Sequence, residues 1–296
     1  MIWFAVLLLL IQYYTDLCLR LLNLRYAFRK DHTIPVLLED VITQEKFEKS
    51  KEYLKDNTYY QITRKAIDFA ILIMWLLFFI PALEKVVMCY FNHPVWQGLL
   101  FFGIIFLVSF LVDIPFSLYD AFIIEKKYGF NTMNARTFWL DLFKNFLSTI
   151  LLGGLLLWPV LLVIQSSVWW WKFSLIMLGF FFISLWIGPV LLMPLFNRFT
   201  PLEEGELKEA IHQFSAKHLI PVKKIFVMDA SKRSTHGNAF FTGIGSTQRL
   251  VLYDTLLSYP QEEILSIIGH EWGHWKHKDI WKQIGWLLVI ETGLFL

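Results

Sequence analysis

The sequence predicts an α-helical membrane protein that crosses the bilayer several times and carries a small α+β unit near its C-terminal end. Of its 296 residues, 56% are hydrophobic and only 18% are charged, whereas about a quarter of the residues of a soluble domain are charged. Five apolar stretches are each long enough to cross a bilayer, which takes about 20 residues. They lie near 2–22, 67–88, 95–118, 145–165 and 173–196.

The apolar stretches at the two ends of the chain each need an interpretation. The first stretch could be a cleaved signal peptide, but no basic region precedes it and no small-residue cleavage site comes before Gln12, so we expect a retained helix. A further apolar run begins at Gln283 and stops with the chain after 14 residues. That length is too short to span, and we expect 281–296 to be the start of a sixth membrane helix.

The positions of lysine and arginine orient these spans. The segments 20–66 and 119–144 carry ten and four such residues, whereas the intervening loops carry at most one. Basic loops stay in the cytoplasm, so we expect loops 23–66 and 119–144 there and the N-terminus in the lumen. After five spans, the polar segment 197–280 is also expected to face the cytosol.

The composition says less about other partners. The net charge of +2 does not indicate a nucleic-acid partner, and none is expected. The two cysteines, Cys18 and Cys89, give no disulfide framework. The expected organisation is therefore a membrane domain over 1–196, followed by a cytosol-facing unit over 197–280.

The segment 197–280 predicts one helix and three short strands before a second helix. Thr200 as N-cap, Pro201 in the first turn and Glu203 completing a capping box predict a helix that runs to about Lys217. The predicted strands are 225–228, 238–242 and 249–253, with Gly243, Ile244 and Gly245 as a turn between the last two.

The second helix contains the motif that carries chemistry. Ser258 and Pro260 are expected to open it, and Glu262 and Glu263 suit its positive end. Further along come His270, Glu271 and His274 in the pattern H-E-x-x-H. Residues four apart lie on one face of a helix, so both imidazoles can ligate one zinc ion. Glu271 can then act as general base toward a water that the zinc ion activates.

Two other interpretations of the sequence remain open, one for the two histidines and one for the chain as a whole. The two histidines could merely cap or pair on a helix. Asp16, Asp68 and Asp113 lie in apolar segments, and acids at membrane depth suggest a transporter or channel. Interhelical hydrogen bonds or the lining of a chamber explain these acids more economically.

Several blocks of the sequence resemble one family. The chain is similar to the type I CAAX prenyl proteases, also called farnesylated-protein-converting enzyme 1, which are intramembrane zinc metalloproteases. The matching blocks are 115–119, 124–131, 194–202, 231–241, 249–257 and 270–276. They occur in the family's order along essentially the whole chain.

This resemblance implies seven membrane helices around a chamber, of which the chain holds five and the start of a sixth. It implies removal of the C-terminal tripeptide from farnesylated or geranylgeranylated CAAX proteins, in the endoplasmic reticulum membrane and the inner nuclear membrane. His270 and His274 correspond to zinc ligands and Glu271 to the catalytic base, with one zinc ion per chain. The resemblance also implies that Asn238 and Ala239 lie on the edge strand that, in this family, pairs with the substrate backbone.

The chain departs from the family's pattern at the zinc site. The family's third ligand is a glutamate in a Glu-x-x-x-Asp motif two spans downstream, and this sequence stops before it. His277 and Glu291 are poor substitutes, and Asp279 stands where relatives often carry histidine. We expect a fragment of a complete protease, the alternative being a truncated, catalytically inactive membrane scaffold or isoform of the same family.

Overall fold

The computed structural model describes residues 2–29, 33–220, 222, 224–243 and 248–295. The chain divides into two compact units, Met1–Asn131 and Thr132–Leu296. The boundary expected from composition, between 196 and 197, divides the chain differently and stays a prediction.

The first unit is helical. A π-helical turn, Trp75–Phe79, continues the second helix into the third, and another, Asp120–Glu125, continues the fourth into the fifth. The helices of this unit are α1 (Ile2–Ala27), α2 (Gln44–Met74), α3 (Ile80–Tyr90), α4 (Pro94–Tyr119) and α5 (Lys126–Tyr128).

The second unit combines membrane-length helices with a small sheet. A π-helical turn, Gly188–Leu192, joins two of its helices. Its helices are α6 (Ala135–Val163), α7 (Trp169–Ile187), α8 (Met193–Phe196), α9 (Glu206–Lys217), α10 (Gln261–Lys276) and α11 (Asp279–Phe295). Its strands are β1 (Phe199–Pro201), β2 (Ile225–Met228), β3 (Ala239–Thr242) and β4 (Arg249–Tyr253).

Five helical segments among the described residues are long and apolar enough to cross a membrane. Almost none of their most apolar stretches is buried within the chain, as expected for surfaces that face lipid. The prediction of a multi-span helical membrane protein is confirmed. The segments are Trp3–Ala27, Gln44–Tyr90, Pro94–Tyr128, Ala135–Val163 and Trp169–Phe196.

Two of the π-helical turns end two residues before a proline. Pro81 follows the turn Trp75–Phe79, and Pro194 follows Gly188–Leu192. A proline ring has no N–H and crowds the carbonyl four residues back. A wider π turn accommodates that defect while the helix continues.

The three aspartates that the sequence places in apolar segments of the first unit lie beside cationic side chains. Asp16 bonds Arg20 and Lys65, at 2.8 and 2.7 Å, which joins α1 to α2. Arg64 of α2 pairs with Asp113 of α4 and lies 3.7 Å from Asp68. Asp16 and Asp113 therefore take part in ion pairs between helices, whereas the contact of Asp68 lies within α2.

The sheet has the order β1-β2-β4-β3, with β2 and β4 parallel and the outer pairs antiparallel. The predicted strands 225–228 and 249–253 are confirmed, whereas the predicted strand 238–242 begins one residue later, at Ala239. Gly243 has the positive φ of 89° that a turn requires, and Ile244 and Gly245 lie outside the described residues.

The predicted helix start at Thr200 is wrong. Thr200 and Pro201 belong to β1, where Thr200 pairs with Val227, and α9 begins only at Glu206 with Gly205 as N-cap. The backbone of this segment is used by the sheet, so it cannot also form the first turn of a helix. Ser258 likewise ends a 3₁₀ helix, Asp254–Ser258, and the N-cap of α10 is Pro260.

Candidate active site

Helix α10 is held by one apolar stripe. Ile264, Ile268 and Trp272 recur every four residues and are 0–2% exposed, so they form one buried face against the sheet and α9. The Trp272 ring stacks on Phe214 of α9 with centroids 5.0 Å apart. A Cβ at Gly269 would lie in ordinary van der Waals contact with the Phe214 ring, at 3.4 Å.

The two motif histidines lie on the opposite, exposed side of α10. Their ring centroids are 4.9 Å apart and their planes are at 88°. Two imidazoles that bind one tetrahedral zinc ion at roughly 2.0–2.1 Å have centroids about 5 Å apart. The donor chemistry and the ring spacing of His270 and His274 therefore fit a shared zinc ion.

Glu271 lies between the two histidines in sequence and is partly exposed. Within the described part of the chain, its carboxylate has no hydrogen-bond or ion-pair partner. A partly exposed carboxylate that directly follows His270 in the sequence has the chemistry of a general base toward water.

A carboxylate that sequence reasoning did not assign a role contacts one of these histidines. His274 Nδ1 lies 2.9 Å from Asp279 Oδ2, and the other oxygen, Oδ1, accepts from Lys282 Nζ at 3.0 Å. The bond to His274, followed by that to Lys282, holds the pKa of the Asp279 carboxyl below its usual range. Lys278 has a φ of 54°, and this left-handed residue turns the chain between α10 and α11.

Strand β3 lies at an edge of the sheet and packs beside α10. The amide of Tyr253 donates to the Asn238 carbonyl at 2.9 Å. In an antiparallel ladder the inward groups alternate, so the N–H and C=O groups of Ala239 and Phe241 point away from β4. The Ala239 N–H instead donates to Asn238 Oδ1 at 2.8 Å.

Among the described residues, the structure does not bring a third ligand to the histidine pair. No group of three His, Cys, Asp or Glu side chains that could hold a metal ion occurs among the described residues. His277 is the C-cap of α10 and is exposed. The side chain of Glu291 lies outside the part of the chain that can be described.

Arg233 lies in the loop that leads into β3 and links this loop to neighbouring segments by hydrogen bonds and an ion pair. The sequence did not predict a role for it. Its guanidinium makes a bidentate pair with Asp141 of α6, at 2.7 and 2.9 Å. It also donates to Asn197 Oδ1 at 3.0 Å and to the Phe196 carbonyl at 2.6 Å. The only available signal was its place in the block 231–241.

Comparison with known proteins identifies the family. Residues 23–198 match the family model described as the CAAX prenyl protease N-terminal domain with five membrane helices, and residues 201–295 match peptidase family M48. The chain belongs to the CAAX prenyl protease family. Membership in this metallopeptidase family implies a metal ion, typically zinc.

Individual members of the CAAX prenyl protease family agree with this assignment. The chain is 35% identical to the CAAX prenyl protease 1 homolog of Arabidopsis thaliana over 259 residues, which are 82% of this chain and 60% of the relative. It is 34% identical to CAAX prenyl protease 1 of Saccharomyces cerevisiae, over 86% of this chain and 60% of the relative.

A solved structure of the same family is also similar. The crystal structure of S. mikatae Ste24p matches with a TM-score of 0.88 and 31% identity, over 98% of this chain and 70% of that chain. The chain spans about 60% of the length of the two curated relatives above.

Proposed function

We propose that this chain carries the hydrolytic site of a zinc metalloendopeptidase that removes the C-terminal tripeptide from prenylated CAAX proteins. The observation that carries the proposal is the exposed face of α10, where the rings of His270 and His274 lie at the spacing of a shared zinc ion beside an edge strand. The names of the similar proteins support the class of substrate.

His270 and His274 would supply two zinc ligands. The chemistry that a bound zinc ion supplies at such a site is polarisation of the scissile carbonyl and activation of a water molecule. The carboxylate of Glu271 accepts the proton of the attacking water at one of its oxygens. It then returns that proton to the leaving amine. No covalent acyl-enzyme forms, because a water molecule is the nucleophile.

The substrate backbone would add as a further strand beside β3, with Asn238 and Ala239 as the contacts. The outward N–H and C=O groups of Ala239 and Phe241 are the groups that such a strand needs. The N–H of Ala239 donates to the Asn238 side chain in the free chain, so pairing of this N–H with a substrate requires that the Asn238 side chain release it.

The location follows from charge and apolarity. The basic segments 23–66 and 119–144 support cytosolic loops, a lumenal N-terminus and a zinc site that faces the cytosol. The family supports residence in the endoplasmic reticulum membrane, and in the inner nuclear membrane as well. The farnesyl or geranylgeranyl group would lie in apolar surroundings provided by the bilayer and the membrane helices.

The test is hydrolysis of a farnesylated peptide by the Glu271→Gln variant. Loss of the general base should lower kcat by about 10²–10⁴-fold, while bound zinc, measured by metal analysis, stays at the level of the parent chain. Glu262→Gln, which removes an exposed acid from the same helix, should keep full activity. Cleavage by Glu271→Gln at the parent rate would refute the role of Glu271, and stoichiometric zinc together with hydrolysis by the parent chain would eliminate the non-catalytic scaffold.

A further inference from the structure

Asp279 is placed to orient one of the proposed zinc ligands. Its Oδ2 lies 2.9 Å from Nδ1 of His274. If the imidazole is neutral, Nδ1 donates to the carboxylate and the lone pair is confined to Nε2. Histidines that bind metals commonly present one nitrogen to the ion while the other N–H donates to a carboxylate.

The chain fixes Asp279 in this position by two features. Lys278 adopts a left-handed conformation between the helices, so that α11 begins at the residue facing the last turn of α10. The second carboxylate oxygen is bonded to Lys282, one turn further along α11. The carboxylate is therefore oriented from two directions, with Oδ2 left for the imidazole.

We infer that Asp279 is a positioning residue that holds His274 with its proton on Nδ1 and its Nε2 free for zinc. This inference rests on the proposed zinc site and adds a residue to it. Asp279 does not touch the metal or the substrate, and it acts only through His274. Because the pair is exposed, with 58% and 35% of the two side chains accessible, its effect is expected at the lower end of what such partners contribute.

The first measurement is the zinc dissociation constant of the purified 296-residue chain in detergent micelles, from competition with a chelator. Asp279→Ala should weaken zinc binding about tenfold, the lower end of the 10–100-fold range for such partners. Asp279→Asn keeps an acceptor for the Nδ1 proton and should recover part of that loss. Glu262→Gln removes the same charge elsewhere on the surface and should bind zinc as the parent does.

A purely structural role for Asp279 makes a different prediction. Lys282→Ala removes the other partner of the carboxylate, an i,i+3 contact, and should change zinc affinity by about twofold at most. If Lys282→Ala weakens binding as much as Asp279→Ala, the start of α11 matters rather than the imidazole contact, and the inference fails. The ¹⁵N chemical shifts of His274, assigned with His274→Gln, should report the Nδ1–H tautomer in the metal-free parent and a mixture of tautomers in Asp279→Ala.

Comparison of zinc binding by His274→Gln and Asp279→Ala distinguishes a failure of this inference from a failure of the proposed zinc site. If His274→Gln weakens zinc binding but Asp279→Ala does not, the zinc site stands and the role of Asp279 is overturned. If His274→Gln leaves zinc binding unchanged, the proposed site itself is wrong, and the role of Asp279 falls with it.

Discussion

Replacing Arg233 by alanine should destabilise the second unit by about 3 kcal/mol. The side chains of Arg233 and Asp141 are only 18% and 17% exposed, so removal of the guanidinium leaves a largely buried carboxylate without its partner. Breaking a buried pair from one side costs about 3–5 kcal/mol, and the residual exposure places this case at the lower end. The cost reflects the orphaned Asp141 rather than the net value of the ion pair.

The assay is a double-mutant cycle on the free energy of unfolding, measured in mixed micelles with increasing denaturing detergent. Arg233→Ala with Asp141→Ala removes both charges, so its cost should fall at least about 1.5 kcal/mol short of the sum of the single variants. Lys144→Ala is the matched control: Lys144 of α6, like Arg233, donates to a backbone carbonyl, that of Leu195 at 2.8 Å, but this hydrogen bond is exposed. Additivity within about 0.5 kcal/mol, or an equal cost for Lys144→Ala, would refute the reasoning.

Two further predictions concern α10 and β3. Ile268→Ala, at a fully buried position, should lower the free energy of unfolding by about 3 kcal/mol. Ser266→Ala, on the exposed side of α10, should change it by less than about 0.5 kcal/mol. Equal effects of the two substitutions would contradict the assigned core face. Ala239→Pro removes an outward N–H and should raise the KM for a farnesylated peptide about 2–10-fold, the value of one hydrogen bond, without loss of zinc. Phe240→Pro, which removes an N–H of the β3–β4 ladder, should instead destabilise the chain in a thermal melt, and the opposite pattern would show that the substrate does not use this edge.

The parts of the fold that sequence predicted are those specified by local pattern. An apolar run of about 20 residues predicts a membrane helix wherever it occurs, and the strands at 225–228 and 249–253 follow from β-branched and aromatic runs between turn signals. The predicted helix start at Thr200 is wrong because a capping box is a local pattern, whereas the pairing of Thr200 with Val227 joins segments 27 residues apart. The sheet decided the conformation of that segment.

In the candidate site, too, local spacing could be predicted from the sequence and contacts between distant residues could not. His270 and His274 are placed together by helical periodicity alone, so their shared face could be predicted from spacing. The contact of Asp279 with His274 depends on one left-handed residue, Lys278, which has no strong sequence signal because lysine rarely adopts that conformation. Arg233 and Asp141 are 92 residues apart, and no single-sequence pattern relates them.

The edge strand β3 is only four residues long, and one of its outward donors is already occupied by the Asn238 side chain. An edge so short and partly self-satisfied resists unwanted pairing with other chains, but it also offers an incoming peptide few main-chain hydrogen bonds. The backbone alone would then hold the proposed substrate weakly. A lipid anchor that confines the substrate to the same bilayer raises its effective concentration at the strand, so delivery in two dimensions can replace tight binding of the peptide.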